Sequence, residues 1–95
     1  MYRLESGVKM SEENPTTFHI PSKEQKNMLK KQDIVKLVFI EDDTEHHSER
    51  MWVTITDRDG DNFVGELNNE PFELKSIKYG DRVEFHADNI INIYP

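Results

Sequence analysis

At 95 residues, with 35% hydrophobic and 33% charged side chains, the chain suffices for one small domain with a thin, sheet-based core. It has no cysteine, which excludes disulfides and thiolate metal sites, and no apolar run approaches the length of a membrane helix. The net charge of −7 is uneven: residues 1–40 hold seven Lys/Arg and five Asp/Glu, residues 41–95 five and fourteen, a field that opposes phosphate contacts and argues against nucleic-acid binding.

The N-terminus, Met1-Tyr2-Arg3-Leu4-Glu5, lacks the apolar region of a signal peptide. With the absence of cysteine, this fits a cytoplasmic protein. Residues 1–16 are polar, contain Gly7 and Asn14-Pro15 and show no clear period. They read as a flexible N-terminal arm, and residues 17–95 as a single small β-rich domain. Thr17–Pro21 reads as extended, because the residue before a proline avoids the helical region. Ser22 and Gln25 make a capping box. The helix it opens is expected over Lys23–Lys30, with Met28 and Leu29 near the core and Lys23, Lys26, Lys30 and Lys31 in solvent. Lys31-Gln32-Asp33 is a turn. The strand Ile34–Ile40 follows, with Val35, Leu37 and Phe39 on one face. Its other face is also apolar, except at Lys36, as in a strand that is central or covered by a helix.

Glu41–Glu49 is an acidic loop. His46-His47 beside Asp42, Asp43, Glu45 and Glu49 would suit a divalent metal chemically. The spacing matches no ligand motif, and adjacent residues of an extended chain point apart, so no metal site and no cofactor are assigned. Arg50–Leu67 then reads as a β-hairpin turning about Asp57–Asn62. A two-residue loop at Asp59-Gly60 would split the hydrophobes between two faces. A three-residue loop, Arg58-Asp59-Gly60 with Gly60 at positive φ, opposes Asp57 to Asp61, Ile55 to Phe63, Val53 to Gly65 and Met51 to Leu67. It puts all the strong hydrophobes on one face, and burial should decide the register. Trp52, Thr54 and Val64 then face away, with Met28 or Ile20 expected over one face of the indole. Gly65 is expected to leave room for a neighbour such as Phe39 or Phe72.

Asn68-Asn69-Glu70-Pro71 is a turn, and Phe72 and Leu74 are same-side neighbours on a short extended piece. Lys78–Asp81 is another turn, Arg82–Phe85 a strand with Val83 and Phe85 inward, and Ile90–Tyr94 closes the chain. Leu29–Leu37 and Ile77–Phe85 echo one another: an apolar residue, a basic turn ending in Asp, then an alternating strand. The fold class expected is α+β, mainly β: a small curled antiparallel sheet or SH3-like partial barrel with one short N-terminal helix.

Several of these pieces resemble the bacterial family named domain of unknown function 2314. They are Phe18-His19-Ile20-Pro21-Ser22, the Asp33–Phe39 strand, Glu49-Arg50-Met51-Trp52-Val53, Gly60-Asp61 with Phe63-Val64-Gly65, Leu67–Phe72, and Lys78–Asp81 with Val83-Glu84-Phe85. Gln32 stands where such a turn ordinarily has glycine. The family carries no established activity, so the resemblance implies a compact bacterial domain and transfers no chemistry.

No catalytic residues are assigned. Ser22, Ser48, Ser76, His19 and His86 sit in no nucleophile elbow or metalloprotease motif. Gly60 and Gly65 make no phosphate loop, and Asp57, Asp59 and Asp61 lack the calcium-loop pattern. The binding candidates are Trp52, Thr54, Asn68, Asn69 and Glu70: one tryptophan leaving the core, and a polar turn able to present hydrogen bonds. The function expected is a non-catalytic protein-binding module, monomeric or weakly dimeric, with an immunity or antitoxin-like role open to it. The rival is a small-ligand or hydrolytic enzyme with its site near Asn68–Pro71.

Overall fold

In the computed structural model, which describes residues 1–41 and 47–95, the apolar alternation of four strands closes around one core. Strands β1 (Tyr2–Leu4), β2 (Ile34–Glu41), β3 (Ser48–Asp59), β4 (Asn62–Leu67) and β5 (Arg82–His86) form an antiparallel sheet in that order. Strand β6 (Asn92–Ile93) pairs with the first half of β2, on the edge whose second half pairs with β1. The sheet is curled into a nearly closed barrel, an α+β fold that is mainly β. Val35, Leu37 and Phe39 of β2 fill the interior with Met51, Val53 and Ile55 of β3, Phe63 and Leu67 of β4, and Val83 and Phe85 of β5. Phe63 stacks on Phe85 with centroids 5.2 Å apart. Burying each such large side chain is worth about 1.5–3 kcal/mol.

The hairpin differs in register from the sequence expectation. Its loop is Gly60-Asp61, closed by Asp59 opposite Asn62. Gly60 has φ of 63°, the conformation that glycine adopts without a Cβ clash. Ile55 lies opposite Gly65 and Val53 opposite Leu67, two residues from the expected pairing. A two-residue loop here would by itself set inward residues of β3 against outward residues of β4. A bulge at Thr56 corrects this: Ile55 pairs with Gly65, and Asp57 with Val64. The extra residue needed to keep all hydrophobes on one face therefore sits in the strand, not in the loop. The Thr56 hydroxyl donates to the Val64 carbonyl at 3.2 Å.

Gly65 is small for a different neighbour than expected. A Cβ there would lie 2.5 Å from the Thr54 carbonyl oxygen and 2.6 Å from Val53 Cγ1, so β3 itself occupies the space. Phe72 is exposed while Leu74 is buried, so the two do not share a face.

Helix α1 (Gly7–Glu13) and helix α2 (Lys23–Asn27) lie outside the sheet. The first sixteen residues, read from sequence as an arm, carry β1 and α1. Ser6 caps α1 by accepting from the Lys9 amide at 3.1 Å, and Glu5 donates its amide to Val38 at 3.1 Å. The capping box of α2 forms as expected: the Ser22 hydroxyl accepts from the Gln25 amide at 3.1 Å, and the Gln25 side chain accepts from the Ser22 amide at 2.8 Å. The helix stops at Asn27 rather than Lys30 because Arg58 ends it. The Arg58 Nη1 donates to the carbonyls of Lys26, Asn27 and Leu29 at 3.0, 3.2 and 2.8 Å, while Nε donates to Gly60 at 2.8 Å. They lie in the last turn of the helix and just beyond it, where carbonyls no longer have a full set of intrahelical partners; the Lys26 carbonyl also accepts from the Leu29 amide at 3.2 Å. The early stop turns Leu29 into the core but leaves Met28 exposed, and it buries Lys26, reversing the expectations for the last two.

Candidate functional site

Trp52 is the outward residue of β3 between the buried Met51 and Val53. Its ring is half-buried, and Met28, expected over it, is exposed. Strand pairing sets Lys36 directly opposite Trp52, with Nζ 4.5 Å from the ring centroid. The Tyr94 amide donates to the Ile34 carbonyl at 2.8 Å, which brings the phenol edge-on to the indole at 5.4 Å and 88°. Both contacts are favourable for a ring with a negative face.

The polar turn after β4 is bonded to this tryptophan's backbone. Asn69 Oδ1 accepts from the Trp52 amide at 3.0 Å, and the Asn68 amide donates to the Trp52 carbonyl at 2.9 Å. Asn68 Nδ2 donates to the Thr54 hydroxyl at 3.2 Å. The structure thus brings together Trp52, Thr54, Asn68 and Asn69. Glu70 follows on the exposed side and contributes its carbonyl to Asn69 Nδ2 at 3.5 Å. Ile34, Trp52, Asn68 and Tyr94 line an open hollow of about 270 Å³.

A second hollow, of about 210 Å³, lies on the other side of the Lys36–Trp52 pair. It is lined by Thr17, Phe18, His19, Lys36, Arg50, Ile91 and Asn92. The Arg50 guanidinium lies over the Phe18 ring at 5.3 Å. Sequence reasoning missed Lys36, Arg50, Phe18 and Tyr94. Lys36 did leave a signal, as the one charge interrupting the outer face of β2. Tyr94 left none, because its position depends on β6 pairing with β2.

Larger hollows lie between β1 and β5, about 590 Å³, and beside the hairpin, about 420 Å³. Arg82 and Glu84 wall both and neutralise each other at 3.0 Å.

Two carboxylates do unusual work at the stretch after the polar turn. Glu49 accepts from the amides of Phe72, Glu73 and Leu74 at 2.8, 2.6 and 2.8 Å. Glu41 accepts from those of Lys75 and Ser76 at 3.0 and 2.7 Å. Desolvation pushes the Glu49 carboxyl up, but the three amide bonds outweigh it and hold it below its ordinary value. The Ser76 hydroxyl and amide, with the Lys75 amide, hold Glu41 low against the opposing effect of burial. Both follow the rule that bonds donated to the charged form favour it.

Of the acidic loop, Asp42–His46 lie outside the described residues. Among the described residues no group of three or more His, Asp and Glu side chains gathers to hold a metal. His86 Nδ1 caps a 3₁₀ turn (Ala87–Asn89) by accepting from the Asp88 amide at 3.0 Å.

A family model described as uncharacterized protein conserved in bacteria (DUF2314) matches residues 5–93 of the chain. No curated protein and no solved structure matches it.

Proposed function

The chain belongs to the DUF2314 family of uncharacterised bacterial proteins, and we propose that this member is a non-catalytic protein-binding module. Its docking face is the outer side of β2 and β3 around Trp52. The observation that carries this reading is the Trp52–Tyr94 pair beside an open hollow, with the Trp52 backbone bonded to Asn68 and Asn69. Large aromatic rings held in place without losing their exposed edge are the residue type that dominates binding energy at interfaces. A module that covers a partner's surface in this way suits an immunity or antitoxin-like role.

The hydrolytic reading has weaker support. Ser22 is a helix cap, Ser76 is bonded to Glu41, and His86 caps a turn. Each candidate nucleophile or base among these three already has a structural partner.

The test is Trp52→Ala. The expected result is a loss of about 1 kcal/mol or less in urea unfolding, with partner affinity weakened by about 2 kcal/mol or more. Native Trp52 emission is expected to be quenched by acrylamide. A stability loss of about 3–5 kcal/mol with an unquenchable blue emission would make Trp52 a core residue and end the proposal.

A further inference from the structure

Within a chain of net charge −7, the two hollows beside Trp52 are lined by no carboxylate residue. Their charged residues are Lys36 and Arg50, with His19 beside them. Four other cations have counterions: Arg3 with Glu5, Lys30 with Asp33, Lys78 with Asp81 and Arg82 with Glu84. Among the described residues no carboxylate pairs with Lys36 or Arg50. Each lies over an aromatic ring instead. We infer that this face binds an acidic segment of a partner protein, with Lys36 and Arg50 taking its carboxylates and Trp52 packing on the chain between them.

The chemistry follows from these cation–ring contacts. A guanidinium 5.3 Å from a ring centroid has five N–H donors, and those turned away from the ring stay available for a carboxylate. The Lys36 ammonium over Trp52 keeps donors for a second carboxylate, and the half-desolvated ring surface strengthens both contacts. Lys36 and Arg50 lie on neighbouring strands, opposite Trp52 and Val38 respectively. An extended acidic segment crossing β2 and β3 meets both. Glu66, paired with Thr54 on the next strand, bounds the cationic surface and repels the same segment from β4. Duplex nucleic acid would have to approach the whole acidic molecule, whereas a short segment meets only this face.

This inference rests on the protein-binding reading and deepens it. The test titrates the intact chain with fluorescein-labelled octaglutamate, octalysine and a neutral glycine-serine peptide of equal length. Octaglutamate is expected to bind, to change Trp52 emission and to weaken with added salt. Lys36→Gln and Arg50→Gln are each expected to reduce its affinity about tenfold. Lys9→Gln removes the same charge from α1 and is expected to leave affinity unchanged within about twofold. The inference is overturned if octaglutamate binds no better than the neutral peptide, or if Lys9→Gln weakens it as much as Lys36→Gln does. It is also overturned if a duplex oligonucleotide binds through Lys36 and Arg50 more tightly than the peptide does. Binding of the neutral peptide or of octalysine that needs Trp52 but neither cation would overturn the acidic segment and leave the protein-binding module standing.

Discussion

Two kinds of segment in this molecule carry backbone amides outside the sheet ladder, and they satisfy them in opposite ways. The turns Lys30–Asp33 and Lys78–Asp81 are self-contained. In each, the aspartate accepts from the amide three residues earlier at 3.0 Å and returns its own amide to that residue's carbonyl at 3.1 Å. Each hooks onto the sheet in the same manner: Gln32 and Gly80 donate to Ile55 and Leu67 at 2.8 Å, and those residues donate back to Asp33 and Asp81. Residues 72–76 instead have no local acceptor and depend on carboxylates from β2 and β3. A turn of the first kind depends on four consecutive residues. A segment of the second kind exists only after the barrel has closed.

The sharpest way to break this comparison is Glu49→Ala. It leaves three amides without their acceptor, and a loss of about 2–3 kcal/mol in urea unfolding is expected, allowing for water reaching the half-buried site. A loss below about 0.5 kcal/mol would mean that water replaces the carboxylate and the segment holds itself.

Acid should act on the same segment. Glu41 and Glu49 both have folded-state values below the ordinary 4.5. In the window between the folded and the unfolded value, the unfolded chain binds more protons, so stability rises with pH there. The stabilisation is complete above about pH 4.5 and is lost as pH falls through the lower folded values. Unfolding curves of Glu49→Gln are expected to fall less steeply over this range than those of the wild type. Equal slopes would remove Glu49 from the account.

The local turns should respond less. Asp33→Ala and Asp81→Ala are each expected to cost about 1 kcal/mol, with the double variant near the sum because the turns share no partner. The smallest effect separates the turns from one another. Gln32 has φ of 79° and Gly80 φ of 87°, as the third position of a type II turn requires. No atom lies within 4 Å of a Cβ built on Gly80, so Gly80→Gln should cost about 1 kcal/mol from backbone strain alone. Gln32→Gly should gain about 0.5 kcal/mol, strain relief being partly offset by the freedom of glycine in the unfolded chain. Thermal melts of the two reciprocal variants check the pair. A shift in the same direction for both would show that the turns are not equivalent.

What could be read from residues alone was what neighbours along the chain decide. The capping box at Ser22 and Gln25, the two turns ending in Asp, the positive φ of Gly60 and the inward sets of β2, β3 and β5 all follow from local chemistry and a period of two. The placing of Trp52 beside Asn68 and Asn69 was partly legible, since one hairpin arm and the turn just after the other must lie close. The hairpin register was not legible, because two errors of one residue cancel: loop length and the Thr56 bulge each shift parity, and burial constrains only their combination. The cover on Trp52, the end of α2 at Arg58 and the cradle of Glu41 and Glu49 were likewise decided by tertiary structure. Each joins residues that the sequence separates widely, such as Arg58 with Leu29 or Glu49 with Phe72. Nothing in the local pattern distinguishes a glutamate that will accept three amides from one that faces water.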